Sequence, residues 1–388
     1  MVQTGLVRLL EQVENIKNRN IGLIANHTSV TNGLQYGWDA LREQGVRINK
    51  LFSPEHGLFG TEQDQAPASA LIDVPYEIVS LYGDTHDSLA PLEEHLSGID
   101  CVLFDIQDIG SRCYTYVNTM AIFLKAIHKK DIEFIVLDRP NPLGGLAVEG
   151  PVLKKGFESF VGILPVPVRH GLTAGELARL TVDYFKLDVN LKIMEMNGWD
   201  RGMMFEDTGL EWVPPSPNMP TLKTALVYPG TSLFEGTNVS EGRGTTTPFE
   251  VVGAPGIRPY QLVETLHDLH LPGVNFRPVF YRPTFNKYGG DTIGGVYIHV
   301  TDRSLFRPFL TGVALTSVFY SMMPGFEFLK NTYEFNATHP AFDLLTGSSA
   351  IRDMIHDGKP LDRIAALWKK EEKVFAGITA EYHLYQVS

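Results

Sequence analysis

The chain has 388 residues, 44% hydrophobic and 20% charged, with a mean hydropathy of −0.05, so it can bury the cores of two domains and is neither disordered nor a small stapled scaffold. Its 33 Lys and Arg against 45 Asp and Glu give a net charge of −12, and the basic residues are scattered, which argues against a nucleic-acid partner. Two cysteines, Cys101 and Cys113, exclude a disulfide framework and a four-thiolate metal site, and no stretch approaches the roughly 18 uninterrupted apolar residues of a membrane span.

In chain order, apolar β-type runs alternate with helical patterns through the first half, at 21–25, 50–52, 77–81, 101–105, 134–137 and 191–194, with a weaker run at 226–228 read as a last strand. Such alternation predicts βαβ units and an α/β, Rossmann-like, doubly wound, mostly parallel sheet. Thr173 followed three residues later by Glu176 is a capping box, so a helix begins there. Past Pro248 the pattern changes to a helix at 260–269, strands at 274–281 and 295–300, and helices at 306–322 and 361–375. We therefore expect an N-terminal catalytic domain over 1–247 and a smaller C-terminal α/β or α+β subdomain over 248–388, joined by a glycine- and proline-rich junction at 230–256, with the active site between them.

Ligands of doubly wound sheets bind beyond the carboxyl ends of the strands. The residues following each run are polar clusters: Asn26 and His27 after the first, Glu55 and His56 on a turn set by Pro54 and Gly57 after the second, Asp105, Asp108 and Arg112 after the fourth, and Arg139 and Asn141 after the fifth. A carboxylate on such a turn suits a general acid, with His56 as its orienting or relay partner, although a solvated turn acid is an equally common outcome. Asp105 and Asp108 read either as site acids or metal ligands, or as strand-end and turn caps; no histidine has the spacing of a zinc motif, so no metal or other cofactor is assigned. The guanidinium groups of Arg112 and Arg139 fit a substrate carboxylate or a local ion pair, and Tyr114 and Tyr116 a stacking platform or core packing.

His170 precedes the capped helix, and Asn218 lies on a proline-fixed loop. The junction gathers Glu235, Thr237, Asn238, Glu241 and Arg243 in a glycine frame, a donor and acceptor set suited to a polyhydroxylated ligand. Signatures of P-loop NTPases, dinucleotide enzymes, α/β-hydrolases and zincins are missing from the sequence.

Five ordered motifs carry a resemblance across nearly the whole chain. Ser53-Pro54-Glu55-His56-Gly57, the segment from Asp105 to Tyr116, Asp138-Arg139-Pro140-Asn141-Pro142, Arg169-His170-Gly171-Leu172-Thr173, and the run from Glu235 through Gly244 resemble the NamZ (YbbC-like) family of exo-β-N-acetylmuramidases, glycoside hydrolase family 171. The resemblance implies a Rossmann-like fold with a C-terminal subdomain, a cleft site, and release of terminal β-1,4-linked N-acetylmuramic acid from the non-reducing end of peptidoglycan fragments. It makes Glu55 the leading catalytic candidate. Glu235 or Glu241 is the preferred partner, with Asp105 and Asp108 behind them. Arg112, Arg243 and Arg139 are the cations available for the lactyl carboxylate. Two carboxylates serve most glycosidases, while attack by the substrate's own acetamido group is a third mechanism.

Two other classes stand beside this reading: a sugar-binding protein without turnover, and a metal-dependent hydrolase or deacetylase built on His27, His56, Asp105 and Asp108. A muropeptide-like small-molecule substrate implies the cell envelope, so the expected location is periplasmic or secreted, with a leader missing from this chain; the cytoplasm stays open.

Overall fold

The computed structural model describes residues 1–63, 65–66 and 74–387. Six parallel strands, β1 (Ile21–Ala25), β2 (Ile48–Ser53), β3 (Glu77–Ser80), β4 (Cys101–Asp105), β5 (Glu133–Leu137) and β6 (Asn190–Met194), form one sheet in the order β3-β2-β1-β4-β5-β6. The expected α/β architecture is therefore present. β1, β4 and β5 are buried at every position because helices cover both faces, which is why they appear in the sequence as continuous apolar runs.

Side-chain alternation divides the core in two. Leu23, Leu51, Leu103, Ile135 and Leu137 face Leu6, Trp38 and Leu41 on one side. Ile24, Phe52, Phe104, Phe134 and Val136 face Met120, Phe123 and Leu177 on the other. Phe52 meets Phe123 edge to face at 5.1 Å, and truncating either ring to Ala would cost about 3–5 kcal/mol. The helix Ala174–Phe185 begins at the expected box, Thr173 Oγ1 accepting from Glu176 N at 3.3 Å and Glu176 Oε2 from Thr173 N at 3.0 Å.

The run at 226–228 is not a strand. It lies inside the helix Leu222–Thr231, whose first turn is capped by the Thr221 hydroxyl accepting from Thr224 N at 3.2 Å. Its β-branched and aromatic residues suggested extension, but capping and burial override so weak a propensity. Gly230 lets this helix touch the helix Pro308–Met322: a Cβ there would stand 2.0 Å from Pro308 O.

The second sheet is antiparallel, β7 (Val251–Ala254), β8 (Val274–Tyr281) and β9 (Ile293–Val300), in the order β7-β9-β8. β7 was not anticipated; four residues around a glycine carry too little pattern. The helix Pro259–His267 packs against β8 and β9, and the helix Leu361–Thr379 leads back to the first sheet. There Tyr385 donates its hydroxyl to Asp138 Oδ2 at 2.6 Å, just beyond β5. Asp138 also accepts from Thr173 Oγ1 at 2.7 Å and Gly175 N at 2.9 Å, yet burial raises its carboxyl to about 6. Among the described residues no helix is long and apolar enough to cross a membrane.

Candidate active site

The strand-end clusters share one edge of the sheet, but they do two different jobs. At the crevice between β1 and β4 the polar side chains bond mainly to one another, beside a second pocket lined by Thr28, Gln107 and Arg139. Arg139 grips Asp105 bidentately, Nε to Oδ1 at 2.6 Å and Nη2 to Oδ2 at 3.0 Å, while Ser29 also donates to Asp105 and Gln107 N donates to Thr28 Oγ1 at 2.9 Å. Asn26 accepts from Thr28 N at 3.0 Å, and Asn141 bridges Leu172 O and Leu143 N at 3.0 and 2.9 Å. Asn141 is also the reason for Gly110, whose φ is +80° and whose Cβ would meet Asn141 Oδ1 at 2.2 Å. Asp105, Arg139 and Asn141, expected to contact substrate, thus form the platform under the site instead.

Above it, residues from both halves line a partly open pocket with about 420 Å³ of empty space, among them Glu55, His56, Tyr114, Thr115, Ser216, Asn218, Tyr228, Glu235, Arg243, Phe249, Tyr333 and Glu334. Glu55 leaves the end of β2 through Pro54 and is 3% exposed. Its Oε2 accepts from Thr115 Oγ1 at 2.7 Å, which ties it to the residue opening the helix Tyr116–Ala126. His56 takes a left-handed φ of +68°, and its Nδ1 donates to Glu62 O at 2.8 Å.

The facing wall carries Glu235. Its Oε1 accepts from Arg243 Nη2 at 2.8 Å and its Oε2 from the Tyr333 hydroxyl, a pair of donors that favours the carboxylate form. Arg243 lies 5.0 Å over the Phe249 ring and also pairs with Glu241. Glu241 is 2% exposed behind this arginine, 2.7 Å from Lys287 Nζ, and does not line the cavity. Of the two junction glutamates, Glu235 is therefore the one that lines the cavity with Glu55.

Several expectations need correction. Arg112 is fully buried and donates to three main-chain carbonyls, Pro151, Val166 and Leu345, each at 2.8 Å. It is a girder between the two halves and does not reach the substrate. Thr237 caps its own turn, donating to Phe234 O and accepting from Val239 N at 3.1 Å each; Asn238 pins Gly325 O and Glu327 N at 2.8 and 2.9 Å. Tyr114 and Tyr116 meet edge to face at 5.0 Å rather than offering an open stacking face, and Tyr116 donates to Pro215 O at 2.5 Å.

His170 Nδ1 accepts from Leu172 N at 3.1 Å, so its neutral ring carries the proton on Nε2, 3.7 Å from Asp108 Oδ2; Asp108 itself accepts from Gly110 N at 2.7 Å. His27 donates to Pro214 O at 2.6 Å, and burial keeps its ring below the usual imidazole range. The four residues of the metal-hydrolase reading thus face different partners, and among the described residues no group of three His, Cys, Asp or Glu is placed to hold a metal ion.

Among the lining residues that escaped sequence reasoning are Tyr228, Phe249, Tyr333 and Glu334. Glu334 is 6% exposed and accepts from the Tyr82 hydroxyl at 3.0 Å. Glu334 and Phe335 both have positive φ, +46° and +63°, before an Asn336 whose side chain accepts from Thr338 N at 2.8 Å. That asparagine turn was the only available signal. Burial and the neighbouring Glu235 hold the Tyr333 phenol well above its ordinary range, and burial pushes the Cys113 thiol up to about 11.

A pocket lined by several carboxylates, set over the strand ends of a doubly wound sheet, fits a glycoside hydrolase. Sequence profiles of exo-β-N-acetylmuramidase NamZ match here in two parts, the N-terminal domain over residues 21–223 and the C-terminal domain over 226–385, and the chain belongs to this family. It is 43% identical to the peptidoglycan β-N-acetylmuramidase NamZ of Bacillus subtilis (strain 168), covering 99% of this chain and 91% of that protein. Two crystal structures of DUF1343 family proteins from Bacteroides fragilis NCTC 9343 are similar as well. One has a TM-score of 0.88 at 33% identity over 99% of both chains, the other 0.77 at 29% over 100% of both.

Proposed function

We infer that the protein is an exo-acting glycoside hydrolase that removes terminal N-acetylmuramic acid from peptidoglycan fragments. The observation that carries the reading is that Glu55 and Glu235 line one cavity, in a chain of this family.

Glu55 acts as general acid, protonating the departing glycosidic oxygen as the bond to C1 breaks. Thr115 fixes its carboxyl in one orientation. Glu235, held by Arg243 and Tyr333, is the charged partner that stabilises the developing oxocarbenium ion and directs the attack on C1. Of the three candidate arginines Arg243 is the one that lines this cavity, and it is the cation for the lactyl carboxylate. A muropeptide substrate supports work at the cell envelope, and fractionation of the native host would locate the enzyme.

The deciding experiment is release of a chromogenic aglycone from a β-N-acetylmuramide beside the matching β-N-acetylglucosaminide. Release from the muramide alone, lost in Glu55→Gln, is expected. No release from the muramide by the wild type overturns the reading.

A further inference from the structure

Tyr228 occupies the wall next to Glu235 and Arg243, and no motif in the sequence pointed to it. Its ring is fixed by two edge-to-face contacts, with Phe249 at 4.8 Å and Tyr114 at 5.8 Å. The helix beneath is locked by the close approach of Gly230 to Gly312. The phenol is thus rigidly placed before any substrate arrives, as a preorganised donor should be.

Three neighbouring polar groups are already engaged, the Tyr333 hydroxyl with Glu235, the Thr115 hydroxyl with Glu55, and the Asn218 amide with Gln63 Oε1 at 2.8 Å, while the Tyr114 hydroxyl is buried without a partner among the described residues. The Tyr228 hydroxyl makes no hydrogen bond with any described residue, although Tyr228 is only 6% exposed. On the cavity wall this hydroxyl keeps its proton free to donate to a ligand. Burial and the nearby Glu235 hold the phenol well above its ordinary range, so it stays a protonated, neutral donor.

We propose that Tyr228 is a specificity-determining residue that touches the sugar, donating its O–H to the carbonyl oxygen of the 2-acetamido group. The proposal rests on the hydrolase reading above. Three features of the wall select this group. The acceptor must be neutral, since a lactyl carboxylate would go to Arg243. It must be an acceptor rather than a hydroxyl, whose own proton the carboxylates of Glu55, Glu235 and Glu334 can take. And it must carry apolar surface, because the Phe249 and Tyr114 rings and Met219 flank the phenol and suit the acetamido methyl.

The test compares wild type with Tyr228→Phe on a chromogenic β-N-acetylmuramide and on the analogue with a 2-hydroxyl in place of the acetamido group. The corresponding free sugars are titrated as ligands, and thermal unfolding is recorded. Tyr228→Phe is expected to lose about 10- to 100-fold in kcat/KM on the N-acetyl substrate. It should also lose affinity for the N-acetyl sugar while matching wild type on the 2-hydroxyl ligand. Its Tm should stay within about 2 °C, because no protein hydrogen bond is removed. Undiminished activity, equal losses on both ligands, or a larger drop in Tm would overturn the proposal. Absence of turnover by the wild type would instead overturn the hydrolase reading, while the ligand titrations still decide the role of Tyr228.

Discussion

Thr115 Oγ1 donates to Glu55 Oε2 at 2.7 Å, joining the turn after β2 to the start of the helix that follows β4. The carboxyl is therefore positioned from two strands at once, and its chemistry can be removed without disturbing its support. Glu55→Gln keeps the Thr115 contact through the amide oxygen. Turnover of a β-N-acetylmuramide should fall about 10²- to 10⁴-fold with Tm nearly unchanged; a rate near wild type would remove Glu55 from the mechanism.

Tyr333→Phe deletes one donor on Glu235 and leaves Arg243 in place. We expect kcat to fall about tenfold with a smaller change in KM, because the missing contact supports charge that matters most in the transition state. Steady-state kinetics separate this from a purely structural loss, which would appear as reduced active fraction at normal kcat.

Arg243→Ala should harm both muramide and glucosaminide through the loosened Glu235, and the muramide by at least about a further tenfold through the lactyl carboxylate. Equal losses on the two substrates would withdraw Arg243 from lactyl recognition and leave it as a holder of Glu235.

For Arg112→Ala the outcome should be of another kind. Three buried carbonyls lose their donor together, so destabilisation of about 3 kcal/mol or more is expected by denaturant titration, without a change in the ratio of muramide to glucosaminide activity for whatever protein folds.

Asp138 gives the stability a pH dependence of definite sign. Burial raises the folded carboxyl to about 6, above the ordinary aspartate value of 3.8 that holds in the unfolded chain. Between those values the native state holds a proton that the unfolded state has released, so stability falls as pH rises through the window, by roughly 3 kcal/mol. Asp138→Asn should flatten the unfolding free energy measured from pH 4 to 6.5. An unaltered slope would place the titration elsewhere.

Much of this was legible in the sequence, for identifiable reasons. The first sheet could be read because β1, β4 and β5 are covered on both faces, and Glu55 because Pro54 and Gly57 mark its turn. Arg112 was misread because its acceptors lie 39, 54 and 233 residues away, and a buried guanidinium has the same local sequence as a ligand-binding one. Tyr228 and Glu334 were missed because one sits in a helix whose composition suggested a strand, and the other reaches the site only after the chain has folded back from the second sheet.

The contact of Tyr385 with Asp138 has a consequence for how the protein is made. Tyr385 also packs edge to face on Trp199 at 5.0 Å and shares a small core with Val2 and Met196. The outer edge of the first sheet therefore borrows its last side chain from a residue translated nearly two hundred positions after β6. On the ribosome the first half emerges with Asp138 and this small core open, and they close only when the second half has been synthesised. Expressed alone up to residue 223, the N-terminal domain would keep its sheet but carry an exposed apolar notch, making it a poor candidate for an independent folding unit.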